Sequence, residues 1–230
     1  MSLRPEEWAA LVLSLKVSLW AVALSLPLAV LVAYLLARRE FPGKGLLSAV
    51  VHVPLVLPPV VTGYLLLLTF GRNGAVGRWL EDTFGLVLAF RWTGAALAAA
   101  IMGFPLMVRA IRLAVEAVDP RLEEAAATLG APPLARFVFV TLPLISPGIL
   151  AGAVLGFAKA MGEFGATITF VANIPGQTQT LPSAIYAFLQ VPGAETAAMR
   201  LVILSLVVAI GAVVISEWLS KRVAARIGRT

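Results

Sequence analysis

An all-α integral membrane protein is the fold class this sequence predicts, and three observations carry it. Of 230 residues, 60% are apolar and only 13% charged, against about 45–50% and 25% in soluble domains, so polar side chains are too few to cover a globule in water. Mean hydropathy is +0.95. Six stretches are free of Asp, Glu, Lys and Arg: Val17–Ala37, Gly45–Gly71, Trp92–Val108, Phe137–Ala158, Phe164–Ala194 and Leu201–Ser216. A membrane-spanning helix needs about 20 such residues, so the chain holds five or six helices with their connections, and residues 1–230 form one transmembrane domain with no room for a catalytic one. The absence of cysteine excludes disulfides and thiolate chemistry, and a single histidine excludes an imidazole cluster.

The first apolar run follows two glutamates, Glu6 and Glu7, and has no small-residue cleavage site behind it, so it is a retained span rather than a signal peptide. Lys16 at its outer end is expected to snorkel. The second stretch is interrupted by Pro58-Pro59; adjacent prolines remove consecutive backbone donors, which makes a broken second span a candidate pore wall. The remaining prolines, Pro27, Pro54, Pro105, Pro143 and Pro147, are read as ordinary kinks. Ala95, Ala99 and Gly103 on the third span, and Gly148, Gly152 and Gly156 on the fourth, recur every four residues and permit close helix approach, within one chain or between two copies. The fifth stretch breaks at 173–180 into pieces of about half a span each. Backbone so exposed must be buried in protein or line a wet cavity, so this stretch is expected to be a re-entrant or interfacial excursion. Glu217 and Trp218 close the last span as an interfacial anchor.

Five full spans place the termini on opposite sides, and the distribution of cations orients them. Arg38, Arg39, Lys44, Arg109, Arg112, Arg121, Arg136, Lys221, Arg222, Arg226 and Arg229 make eleven on one side; Arg4, Arg72, Arg78, Arg91 and Arg200 make five on the other. The expectation is an N-terminus outside, a C-terminus in the cytoplasm, and a cytoplasmic connection near 109–137.

That connection is the most informative part of the chain. Asp119 is a suitable N-cap and Pro120 a suitable first helical residue; Arg121–Leu129 favours helix, Gly130 stops it, and Pro132-Pro133 turns the chain into a second short helix, Leu134–Val140. Within it, Glu124-Ala125-Ala126, Gly130 six residues after the glutamate, and then Val140, Leu142 and Pro143 resemble the EAA signature of ABC importer permeases, with Val140 in place of isoleucine. The resemblance extends to FPGKGLL, HVPLVLPPVVTGYLLL, FPLMVRAIRLAVEAVDPRLEEAAATLGA and GEFGATITFVANIPGQTQTLPSAIY, which are similar to the permease subunit of molybdate ABC transporters, the ModB family, over most of residues 10–220. Sulfate and other oxyanion permeases share much of this frame, and tungstate is inseparable from molybdate by sequence.

The resemblance implies a type I importer permease fold in a bacterial cytoplasmic membrane, with 119–143 as the coupling segment. It also implies three kinds of protein partner: a second copy of the chain, ATPase subunits that bind ATP and Mg, and a periplasmic or lipoprotein oxyanion-binding protein. Membrane lipid is the other partner, and no nucleic acid or bound cofactor is expected. The sequence agrees in lacking a GxxxxGK[ST] phosphate loop, so energy must come from elsewhere. Pathway and gate candidates are Pro58, Pro59, Gly162, Glu163, Phe164, Gly165, Thr167 and Thr169. Glu163 also lies four residues after Lys159, where a local ion pair is the alternative reading. His52 is read as a packed polar residue. Two other classes fare worse: a stand-alone secondary carrier usually shows repeat symmetry and midplane charges, and an intramembrane enzyme needs a nucleophile, base or metal set that is missing here.

Overall fold

The computed structural model describes residues 4–227, so Arg229 of the basic C-terminus lies outside the described residues. Among these the fold is helical throughout: α1 (Pro5–Arg38), α2 (Lys44–Val56), α3 (Pro59–Phe70), α4 (Ala75–Phe84), α5 (Trp92–Ala117), α6 (Pro120–Thr128), α7 (Pro133–Arg136), a π-helical turn (Phe137–Thr141), α8 (Leu142–Met161), α9 (Gly165–Val171), α10 (Leu181–Leu189) and α11 (Glu195–Ile227). Four segments are long and apolar enough to cross a membrane, and the α2–α3 pair makes a fifth if counted as one broken span.

Two expected boundaries move, and one expected break is found. Charge marked the end of the third stretch at Val108, yet α5 continues to Ala117, because arginine is a good helix former and a helix need not end where the apolar layer does. The break expected at Pro58-Pro59 is present: α2 and α3 meet at 114°. Leu57 and Pro58 there are extended, with ψ of 140° and 133°, as residues preceding proline prefer. The fourth span starts earlier than Phe137, running from Pro133 through the π turn. Pro143 has no N–H for the carbonyl four residues back, and Leu142 N–H reaches instead to Phe137 O, five residues away. The amphipathic α4 was not anticipated at all.

Helix directions follow from contacts at each end. Lys16 Nζ lies 3.7 Å from the Trp92 ring centroid, while Arg38 Nη2 donates to Val118 O at 2.7 Å, so α1 and α5 run parallel. A Cβ on Gly156 would meet Met107, and one on Gly148 would meet the Ala114 methyl, so α8 runs antiparallel to α5. α11 begins beside the start of α1, where Arg200 Nη2 donates to the fully buried Glu7 Oε1 at 2.6 Å, and then packs along α8. The end of α8 belongs to the same cluster: Met161 packs with Ala10, Leu11 and Leu201. Residues 162–194 therefore leave and rejoin the bundle at one end, which is the excursion the sequence predicted. Its backbone is secured by Leu181 N–H donating to the buried Ser14 Oγ at 2.7 Å, by Ile174 N–H donating to Thr178 Oγ1 at 3.0 Å, and by Thr178 Oγ1 donating to Ala172 O at 3.2 Å.

The glycine ridge is used inside the chain. Gly152 faces Ile111 and the Met107 carbonyl, and Gly103 faces the Gly156 backbone, so α5 and α8 approach as closely as small residues allow.

Candidate functional site

The segment 119–143 forms a hairpin at the Arg38 end of the bundle. Arg121 N–H donates to Asp119 Oδ1 at 2.9 Å, capping α6 behind Pro120. At the other end Gly130 N–H donates to Ala127 O and Ala131 N–H to Ala126 O, both at 3.0 Å. That is the pair of bonds of a Schellman ending, and it requires the φ of +85° that Gly130 adopts. Pro132 is extended and α7 starts at Pro133, so the chain turns where the prolines predicted.

No residue of α6 is buried. Glu124, Ala125 and Gly130 are exposed, as is Pro143, while Ala126 and Leu142 are half-buried. Around them the apolar side chains of Leu129, Leu134 and Phe139 are 88%, 74% and 78% exposed, left uncovered by the rest of the chain.

What attaches this open hairpin to the bundle is Glu123, which the sequence reading passed over in favour of its neighbour. Its carboxylate accepts from Thr141 Oγ1 at 2.9 Å and Tyr34 Oη at 3.3 Å, and Arg38 Nε stands 3.5 Å away. α1, the π turn and α6 thus converge on one carboxylate. The only sequence signal was its phase: Glu123 lies 100° from Glu124 on the helix, turned inward where Glu124 is turned out.

The second set of candidates comes from two distant segments that the fold brings together. A Cβ on Gly165 would lie 2.7 Å from Pro59 Cβ, and one on Gly63 would lie 2.5 Å from Ala166 O and 2.9 Å from Thr169 Cβ, so α3 and α9 are packed backbone to backbone just after the Pro58 bend. Gly63 belongs to this contact and was missed; only its place on the α3 face distinguishes it from an ordinary membrane glycine. Thr169 Oγ1 donates to Gly165 O at 2.8 Å and Thr167 is buried. The Phe164 and Tyr186 rings lie 5.1 Å apart, tilted by 44°, and at Gly162, which ends α8, a Cβ would meet only Ala158 O at 3.7 Å. Glu163 is 2% exposed; its Oε2 pairs with Lys159 Nζ at 2.8 Å and its Oε1 accepts from Ala166 N–H at 3.0 Å. The local ion pair is therefore present, and the carboxylate also caps α9.

Residues 25–225 match the family model described as "Binding-protein-dependent transport system inner membrane component". Among curated relatives, the molybdenum transport system permease protein ModB of Escherichia coli (strain K12) is 58% identical over 229 residues, all of both chains. The protein of the same name from Haemophilus influenzae is 54% identical over 97% of each. The sulfate transport system permease protein CysT of Escherichia coli is 39% identical over 70% of this chain and 57% of its own length. Among solved structures, a bacterial ABC transporter involved in import of the acidic polysaccharide alginate superposes with a TM-score of 0.75 at 19% identity, covering 95% of this chain and 80% of that one.

Proposed function

The chain belongs to the family of binding-protein-dependent transport system inner membrane components, and from that premise we propose that it forms the membrane pathway of an ABC importer for molybdate. The observation that carries the substrate is the full-length identity of 58% to a molybdenum permease, against a shorter and weaker similarity to a sulfate permease. Tungstate, with the same charge and tetrahedral shape, falls within the same reading.

Transport is driven from outside the chain. Without a phosphate-binding loop of its own, the permease takes up the work of ATP hydrolysis through α6, which docks in a groove of an ATPase subunit by Ala125, Ala126 and the face around Glu124. Gly130 sets the angle of the hairpin, and Leu142 and Pro143 join it to α8. Glu123 transmits the movement of α6 to α1 and α8. Two copies related by a twofold axis enclose the pathway, since five spans are few to surround a hydrated anion and closed twofold symmetry is the commonest arrangement of identical subunits. Pro58, Pro59 and the Gly162–Thr169 stretch line it, with the α3–α9 contact as the gate. The N-terminus faces outward, where a binding protein delivers the anion, and α6 faces the cytoplasm.

Reconstitution of the permease with its ATPase and binding protein should give ATP-dependent molybdate uptake, and Gly165→Leu, which drives a side chain into Pro59, should abolish uptake while the ATPase still co-purifies. Single cysteines can be placed without background, because the chain has none. Gln177→Cys should react with an impermeant thiol reagent from outside and Ala125→Cys should not. Reaction of Ala125→Cys in intact cells would overturn the orientation, and wild-type uptake by Gly165→Leu would move the gate elsewhere.

A further inference from the structure

We propose that Arg109, Arg112 and His52 form an exit-side subsite for the transported oxyanion, between the α3–α9 contact and the coupling hairpin. The proposal rests on the permease reading and deepens it. The three side chains line a recess of about 430 Å³, in which Ser48, Ala49 and His52 of α2 face Arg109, Arg112 and Glu116 of α5. In sequence the arginines are orienting charges and His52 a packed polar residue; only the fold brings them to one recess.

Position follows from periodicity. Residues 95, 98, 102, 105, 109, 112 and 116 are spaced alternately by three and four, which keeps them on one face of α5. Ala95, Ala98 and Met102 at its start share a core with Ala166 and Phe170 of α9. Arg109 is eleven residues beyond Ala98, about 16 Å along the helix axis. The face stays buried through Pro105 and opens at Arg109, which places the charged recess one step beyond the α9 contact in the direction of the coupling hairpin.

The charges suit passage rather than storage. Arg112 Nε donates to Glu116 Oε1 at 2.7 Å, so its cation is already compensated. Arg109 is exposed and makes no ion pair or side-chain hydrogen bond among the described residues. Its planar guanidinium can donate to two oxygens of a tetrahedral oxyanion at once. His52 Nδ1 lies 2.7 Å from Ser48 O; a carbonyl only accepts, so Nδ1 carries the hydrogen and the other ring nitrogen, an acceptor in that tautomer, holds water of the anion's hydration shell rather than the anion itself. With waters occupying about 30 Å³ each, the recess takes the anion with part of its hydration shell. One uncompensated cation in a wet recess attracts a dianion without trapping it.

The same chemistry would hold the phosphate of an anionic phospholipid, a recognised use of basic pockets near the membrane surface, and the test separates the two sources. The complete importer is reconstituted in phosphatidylcholine liposomes and, in parallel, in liposomes containing phosphatidylglycerol, and molybdate uptake is measured. Arg109→Gln should lower uptake at least fivefold in both, with the ATPase still co-purifying, and Arg109→Lys should recover most of it. Glu116→Gln, which frees Arg112, should make uptake at least threefold more sensitive to molybdate already present on the ATPase side. Wild-type uptake by Arg109→Gln overturns the subsite, as does a loss confined to phosphatidylglycerol membranes, which assigns the recess to lipid. If Arg109→Gln fails to fold, unchanged sensitivity in Glu116→Gln overturns it. Absence of molybdate uptake by the unmodified complex would instead remove the reading on which the subsite rests.

Discussion

The α5–α8 seam and the α6–α7 hairpin both depend on glycine, for opposite reasons. In the seam, Gly148, Gly152 and Gly156 have helical backbones and no space: a Cβ on any of them meets Ala114, Ile111 or Met107. In the hairpin, Gly130 has nothing within 4 Å of where its Cβ would stand, yet holds a φ of +85°. Eleven residues of α5 from Gly94 to Ile111 are buried, and none of α6 is. One region is finished within the chain. The other is shaped by the chain and left bare.

The largest expected effect comes from treating the closed region as if it were open. Gly148→Leu pushes a branched side chain against Ala114 on the neighbouring helix, where neither backbone can retreat without breaking the rest of the seam. Overpacking of a core typically costs about 1–3 kcal/mol and sometimes more, so thermal unfolding in detergent should show clear destabilisation or loss of the folded species. The same final side chain introduced by Ala125→Leu, on exposed α6, should leave the melting curve unchanged. Equal melting of the two variants would show that the seam is not as tight as its geometry implies.

The next effect runs the other way, and falls on assembly rather than fold. Ala126→Arg places a long cation in the middle of the small-residue patch of α6 without touching the bundle core. Insertion and melting should remain as in the parent chain, while co-purification of the ATPase should fall below detection. Retention of the ATPase would mean that docking uses Leu129 and Phe139 instead, and that the alanine patch is only helix-forming composition.

The two regions were also unequally legible in the sequence. The hairpin was read almost residue by residue, because caps, prolines and the stop glycine act locally: Asp119, Gly130 and Pro132 each behave as their chemistry dictates with no help from distant chain. The excursion was legible for a related reason, since polar residues at 173–180 cannot remain in hydrocarbon. Glu123, Gly63 and the Glu7–Arg200 pair were not legible. Their partners lie between 18 and 193 residues away, and neither spacing nor composition records such meetings. The glycine ridge was half-legible: its spacing announced close approach, but only the direction of α5 and α8 decides whether the partner is in the same chain. The pathway candidates form an intermediate case. Pro59 and Gly165 were each picked out for local reasons, and their contact across more than 100 residues of sequence is what makes them one site.

The smallest predicted effect separates conformation from contact at Gly130 itself. A non-glycine L-residue in the left-handed region costs about 1–2 kcal/mol, and asparagine, whose short polar side chain can bond locally, visits it more readily. Since a side chain at 130 has open space within the chain, substitution should not alter the melting of the bundle. It should shift the hairpin away from the conformation that docks, and 1.4 kcal/mol corresponds to about a tenfold change in affinity. Gly130→Ala should therefore weaken ATPase binding by about tenfold in a titration of the solubilised permease, and Gly130→Asn by clearly less. If alanine and asparagine are equally damaging, the loss comes from a side chain colliding with the ATPase, and Gly130 is a contact residue. If neither matters, the angle of the hairpin is set by Pro132-Pro133 and by the Glu123 anchor, and the Schellman ending only follows it.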